Sequence, residues 1–374
     1  MFKSKKKILL IGDLPGWAFD NIITFVKTNL NKDYNFYYDY TIYNPAKRTT
    51  GEINIQDSLN TEFLSKEYRK TYKIYRYPVL GKVSYKLISV LNRFGILSRD
   101  ANGKKRRVRK DNFYDCIVYM DFYMDRDGDF HHVEARKVVR GIYTDSFPPM
   151  GYQVSESNPR DFLHNYFEET DALLAGSNSI LKFYEPFSDL PCFEANLAYN
   201  ESIFRPRHNS KKRGGNKLVL GWTGNPNRSF KGYYELIVPV VRELQNEGLE
   251  IELRSQFSGT LNSLADFWQE VDLAIIASEA DAGPSLFMEA SLCGVPSLST
   301  RIGIPAYIIK EDVNGLFFER NIDSLKLAIK SVYFDRDKLK TWSSNIRNSY
   351  LIKLGHDVQV KNWRVLFSEV LNDA

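Results

Sequence analysis

The sequence predicts an α/β protein made of two doubly wound parallel-sheet domains, and three observations carry this. Short, continuously apolar runs alternate with stretches of helical periodicity. The alternation stops at a polar linker beginning near His208 and restarts after it. A chain of 374 residues, 43% of them hydrophobic, is also long enough to bury two cores.

In chain order, Ile8 to Ile11 is an apolar run closed by Gly12-Asp13-Leu14-Pro15-Gly16, after which Phe19, Ile22, Ile23, Phe25 and Val26 recur at helical spacing. This is the pattern of a buried parallel strand, a loop and a helix. Asp115 to Tyr119, Val138 to Tyr143 and Ala172 to Ala175 are further buried-strand candidates, each closed by polar or Pro-rich turns. Between about residues 45 and 112 the rhythm gives way to a basic, aromatic insertion containing Lys104-Lys105-Arg106-Arg107-Val108-Arg109-Lys110. Within it Leu80, Val83, Leu87, Leu91 and Phe94 share one helical face. Residues 1–205 form the first expected domain, with Phe193 to Pro206 as its exit.

A second domain, expected over 206–350, opens with the strand Leu218 to Trp222. Helix Tyr234 to Asn246, strands Leu249 to Leu253 and Leu273 to Ile276, helix Ser285 to Leu292, strand Pro296 to Ser299 and helix Ile322 to Tyr333 follow. The chain reads as helical from about Lys338, and its last helix, 351–374, is expected to cross back to the first domain.

Bulk properties exclude several classes. Lys and Arg number 51 against 46 Asp and Glu, a net charge of +5 that is too small to indicate a nucleic-acid partner. Lys3, Lys5, Lys6 and Lys7 precede an apolar run far shorter than a secretory h-region, and no stretch approaches the ~20 apolar residues that span a bilayer. Cys116, Cys192 and Cys293 are widely spaced, as reduced core thiols are. A cytoplasmic protein, soluble or peripheral on a membrane, is expected.

The most informative stretch is Asp281-Ala-Gly283-Pro284-Ser285-Leu286-Phe-Met-Glu289-Ala-Ser-Leu-Cys-Gly294-Val-Pro296, which follows a strand. A Gly-Pro turn runs here into a helix, whose first N–H groups and positive dipole end suit a phosphate. Pro284 has no N–H, so Ser285 and Leu286 are the donors. Glu289, about one turn inside, can accept hydrogen bonds from two ribose hydroxyls. On spacing alone, a capped helix with a solvated carboxylate fits the same residues.

These residues resemble the retaining glycosyltransferases of the GT-B fold, family-4 type, whose signature has two acidic residues separated by seven, then Ala and Gly-x-Pro; Asp281, Glu289 and Gly294-Val-Pro296 have that arrangement. The resemblance implies two Rossmann-like domains facing a cleft, with Asp281 holding the donor sugar hydroxyls and Glu289 the nucleotide ribose. The family's usual first acid is Glu, so Asp281 shortens the reach, and Glu279 is the alternative. The turn Gly221-Trp-Thr-Gly224-Asn-Pro-Asn-Arg228-Ser-Phe-Lys231-Gly232 resembles the family's Gly-rich loop, which implies that Arg228 and Lys231 clamp the diphosphate. Gly303-Ile-Pro305 and Asn314-Gly315 resemble its closing turns. About 40 residues separate Lys231 from Asp272, so one β/α unit usual in the family is missing and base recognition is not assigned. In the first domain, Gly12 and Asp13 would face the cleft and the transferred sugar, and Asp145 ends a strand on the cleft side.

The implied activity is transfer of a sugar from a nucleotide-diphosphate sugar to a hydroxyl of a glycan, a lipid-linked or a polysaccharide acceptor, with retention, without a cofactor and without a metal. An inverting transferase, a sugar-nucleotide epimerase and a non-catalytic sugar-nucleotide-binding scaffold are the alternatives. Asp125-Arg-Asp127-Gly-Asp129 with His131-His132 is the competing metal-site reading, though it lacks the spacing and distal Glu of an EF-hand loop. Gly12 to Gly16 is not a dinucleotide fingerprint. The basic run and the Leu80 helix could meet an anionic membrane surface or acceptor.

Overall fold

A computed structural model of the protein describes residues 5–13, 18–40, 98–99, 105–106, 113–124, 134–144, 146–149, 154–206, 217–257 and 259–372. Most of the basic insertion, the Asp125 to His132 segment and Asp145 lie outside the described residues.

One sheet contains eight strands: β1 (Lys7–Gly12), β2 (Asn35–Tyr40), β3 (Ser98–Arg99), β4 (Lys105–Arg106), β6 (Cys116–Tyr119), β8 (Val138–Ile142), β9 (Ala172–Ala175) and β10 (Cys192–Glu194). Their order is β10-β9-β8-β6-β1-β2-β3-β4, while β5 (Phe113–Tyr114) and β7 (Glu134–Ala135) form a separate parallel pair. The strands from β10 to β2 are parallel, and the pairs β2–β3 and β3–β4 are antiparallel. Ile8 to Ile11 are buried throughout, as expected for a central parallel strand covered on both faces. Helix α1 (Ala18–Leu30) buries Ile22, Ile23, Val26 and Leu30 against it, the stripe its periodicity predicts. Two short helices, α2 (Pro159–Tyr166) and α3 (Asn178–Tyr184), flank β9, each begun by a side-chain cap, Asn158 and Ser177.

The second sheet is entirely parallel: β11 (Leu218–Thr223), β12 (Ile251–Gln256), β13 (Leu273–Ile276), β14 (Ser297–Ser299) and β15 (Gly315–Phe317), in the order β12-β11-β13-β14-β15. Its helices are α4 (Val238–Asn246), α5 (Leu261–Gln269), α6 (Ser285–Leu292), α7 (Gly303–Ile308) and α8 (Ile322–Tyr333). The helix expected from Tyr234 opens instead as a π-turn over Tyr233–Ile237, and regular α-helix starts at Val238. Pro239 explains this, because it lacks a donor and is tolerated only in a first turn. The strand expected from Leu249 begins two residues later, because Leu249 N–H still bonds back to Leu244 C=O at 3.1 Å and closes the end of α4.

The last two helices divide between the sheets. Helix α9 (Asp337–Leu354) buries Trp342, Ile346, Tyr350 and Leu354 in the core of the second sheet. After Gly355, α10 (His356–Leu371) places Trp363, Leu366, Phe367 and Val370 in the core of the first. Trp363 Nε1 donates to Asn196 C=O at 2.8 Å, and Asn196 N–H donates to Gln359 Oε1 at 2.8 Å, so α10 is tied to the segment leaving β10. Cys116, Cys192 and Cys293 are free thiols. Among the described residues no helix is long and apolar enough to cross a membrane.

Candidate active site

In each sheet the chain winds one way from a central strand and then the other, and the loops at that reversal open a crevice at the strands' carboxyl ends. In the second sheet the reversal lies between β11 and β13. The loops that follow these two strands carry Gly224 to Gly232 and Ser278 to Ser285, which the sequence singles out. In the first sheet it lies between β1 and β6, where Gly12 ends β1 and Asp13 follows it.

The turn after β11 is held against the end of β13. Gly232 has φ +71°, and a Cβ there would come within 2.7 Å of the Ala277 carbonyl oxygen, so only glycine lets the two segments approach this closely. Glu279 N–H then donates to Phe230 C=O at 2.8 Å. Arg320 donates through Nε to Ala277 C=O at 3.0 Å and through Nη2 to Ser229 C=O at 3.3 Å, stapling both loops. As a result Lys231 Nζ forms an ion pair with Asp281 Oδ2, both side chains being less than a fifth exposed. Asp281 Oδ1 also accepts from Gly283 N–H at 3.3 Å.

The Gly303-Ile-Pro turn backs this loop. Gly303 has φ +32°, and a Cβ there would meet the carbonyl oxygens of Ala282 and Asp281 at 2.2 and 2.3 Å. Ile304 N–H donates to Ala282 C=O at 2.9 Å. Gly303→Ala is therefore expected to displace Asp281 and to cost about 1–2 kcal/mol for the left-handed backbone alone. The check is a chemical-denaturation midpoint, which should fall relative to the parent.

Helix α6 begins without a side-chain cap, since the residue before it is Pro284. Phe287 N–H bonds to Pro284 C=O at 2.9 Å, which leaves the N–H groups of Ser285 and Leu286 as the turn's donors. Glu289 is only 5% exposed, so it is not a solvated helix carboxylate. It accepts from Trp268 Nε1 at 3.1 Å, and burial pushes its carboxyl up from about 4.5 to about 7 against the opposing effect of that bond. Tyr199, on the segment crossing between the sheets, hydrogen-bonds Ser285, and burial holds its phenol well above the usual range.

A cleft of about 1010 Å³ runs between the two halves, lined by Asn21 and Thr24 of α1, by Gly259 and Leu264 around α5, and by Ser285 and Glu289 of α6. This is large enough for a nucleotide sugar. Lys231 and Asp281 do not line it; their pair belongs to the loops at the reversal point.

The structure thus brings Lys231, Asp281, Gly283, Pro284, Ser285, Leu286 and Glu289 together on three adjoining segments. Gly224 and Arg228 are exposed on the same turn, and among the described residues the Arg228 guanidinium makes no hydrogen bond or ion pair. Three contributors escape sequence reading: Trp268, Tyr199 and Arg320. Each lies on an element with no motif, and only the need of a buried indole N–H for an acceptor could have flagged Trp268.

Residues 241–349 match the family model of the glycosyl transferases, group 1. N-acetyl-alpha-D-glucosaminyl L-malate synthase of Bacillus anthracis is 25% identical over 129 residues, so the alignment spans about a third of that protein (34%) and 34% of this chain. Among solved structures, Anabaena HepE in complex with UDP-glucose is similar with a TM-score of 0.63, 14% identity and coverage of 97% of this chain and 100% of that one. Sucrose-phosphate synthase of Thermosynechococcus elongatus gives a TM-score of 0.62 at 12% identity, covering 98% of this chain and 99% of that one. The fold is that of the GT-B glycosyltransferases, two Rossmann-like domains on either side of a cleft. The segment matched by the group 1 model contains Asp281 and Glu289.

Proposed function

We propose that the protein is a glycosyltransferase that moves a sugar from a nucleotide-diphosphate sugar, held by the second domain, to an acceptor hydroxyl presented by the first. The observation that carries this is the convergence of one cation, one carboxylate and an uncapped helix N-terminus at the sheet's reversal point, beside a second, buried carboxylate that reaches the cleft. A uridine donor is the first to test, because the similar Anabaena protein is described with UDP-glucose.

In this reading Lys231 and the Ser285 and Leu286 N–H groups take the diphosphate, where negative charge grows as the glycosidic bond breaks. Glu289 takes the ribose hydroxyls. Asp281, ion-paired with Lys231, turns to the sugar hydroxyls when the diphosphate engages the ammonium. An oxocarbenium-like transition state then needs positioning and charge stabilisation from the site, without a covalent cofactor. Retention of configuration follows from the family-4 resemblance. The acceptor is a glycan, lipid-linked or polysaccharide acceptor, and the positive charge of Lys104 to Lys110 would attract an anionic acceptor or membrane surface.

Release of nucleoside diphosphate and transfer of sugar by the purified protein, over a panel of nucleotide sugars and acceptors, test the activity. Absence of donor turnover together with tight nucleotide binding would instead identify a sugar-nucleotide-binding scaffold. Activity is expected to survive a chelator unchanged, since Lys231, Arg228 and the helix terminus supply the positive potential. Complete, metal-reversible loss of turnover would reject this and return attention to Asp125 and Asp127.

A further inference from the structure

Helix α6 is buried along its length after Ser285, and Glu289 is the only acid on it. We propose that Trp268 is a positioning residue of the nucleotide site, whose indole N–H pins one oxygen of the Glu289 carboxylate and leaves the other to the cleft as an anionic acceptor. The inference rests on the reading of Glu289 as the ribose carboxylate and adds the residue that keeps it usable.

Several segments put the indole there. Helix α5, begun by the Thr260 side-chain cap, carries Trp268 in its last turn with no exposed surface. The turn that follows is anchored to β11, since Val219 N–H donates to Asp272 Oδ2 at 2.9 Å. A Cβ at Gly221 of β11 would meet the indole at 3.0 Å and the Val271 side chain at 2.6 Å, so the strand yields its side-chain space to these two residues. Phe267 packs edge-on against the indole, with ring centroids 5.0 Å apart. Held in this way, Nε1 lies 3.1 Å from Glu289 Oε2, while Glu289 Oε1 makes no hydrogen bond among the described residues.

An indole N–H can only donate, and in a dry core it needs an acceptor. Its bond to an ionised carboxylate is stronger than to a neutral group, so it favours the charged form, whereas burial favours the protonated one. The other polar groups around α6 do not take over this part. Tyr199 on the crossing segment and Tyr350 of α9 are phenols that burial keeps protonated. Asp281, on the turn before α6, is paired with Lys231, and Arg347 of α9 donates to the carbonyls of Leu292 and Phe204. Among the described residues, Trp268 is the donor that bonds the Glu289 side chain.

The test follows UDP affinity by calorimetry from pH 6 to 9 in the parent and in Trp268→Phe, with circular dichroism as the check on folding. The parent's affinity should rise with a midpoint of about 7, where burial and the indole bond together set the carboxyl. Without the N–H, burial acts unopposed, so in Trp268→Phe the midpoint should move up by about one pH unit or more and the affinity at neutral pH should fall about fivefold. A merely structural role would lower the affinity by one factor at every pH and leave the midpoint in place, and that result overturns the proposal. A parent whose affinity is flat over this range overturns the reading of Glu289 itself, and the inference with it. Should Trp268→Phe not fold, the intact protein decides by NMR of isotope-labelled tryptophan. One indole N–H resonance of the five tryptophans should shift with a midpoint of about 7 in the parent and stay fixed in Glu289→Gln. Indole resonances that all ignore pH overturn the proposal.

Discussion

Asp281→Asn is expected to reduce sugar transfer by about a hundredfold or more while nucleoside diphosphate binding holds or tightens. The two effects separate because Asp281 plays two parts. Its carboxylate pairs with Lys231, and that ion pair competes with a diphosphate for the same ammonium. Asn cannot neutralise it, so Lys231 is freed for the phosphates. In the proposed donor complex the carboxylate orients sugar hydroxyls in the transition state, which the neutral amide does less well. Calorimetry with the nucleoside diphosphate and a transfer assay on the same preparation resolve the two. If transfer is unchanged, Asp281 serves only to anchor Lys231.

Glu289→Gln is expected to weaken nucleotide binding tenfold or more at pH 8, since a bond to a charged acceptor contributes roughly 1.5–3 kcal/mol. The same variant should be more stable than the parent when empty. Burial lifts the Glu289 carboxyl from about 4.5 to about 7. The folded state thus holds a proton that the unfolded state has lost between those values, and stability falls as pH rises across that window. The stabilisation is fully present below about pH 4.5 and gone above about pH 7, a swing on the order of 3 kcal/mol. Nucleotide affinity should run the other way in the parent, rising from pH 6 to 8 as the carboxylate forms, and should be flat in the variant. A parent whose affinity does not change over this range would show that Glu289 does not contact the nucleotide.

Much of the architecture was readable because burial on both faces leaves a simple signature. The strands at Ile8, Val118, Leu174, Leu220 and Ile275 are short apolar runs between turns, and the bounds of each run agree with those of the strand to within a residue or two. β2 is not legible because Asn35–Tyr40 mixes polar and aromatic residues, nor is α5, because Leu261–Gln269 is a two-turn helix whose start depends on the Thr260 cap. β10 does not stand out from the exit segment, since its three residues become a strand only through pairing with β9.

At the site, the chain's local chemistry determined which loops matter. Gly and Pro positions dictate backbone conformations, and Asp281, Ser285 and Glu289 follow one another along the turn after β13 and the start of α6. Tertiary structure decided what state those groups are in. Lys231 and Asp281 are 50 residues apart and neutralise each other only because Gly232 and Gly303 let three loops pack within van der Waals distance. Burial in the surrounding core pushes the Glu289 carboxyl up to about 7, against the hydrogen bond from Trp268, which lowers it. Propensity and spacing are local and can be read along the chain, whereas charge pairing and desolvation depend on which distant segments the fold brings together.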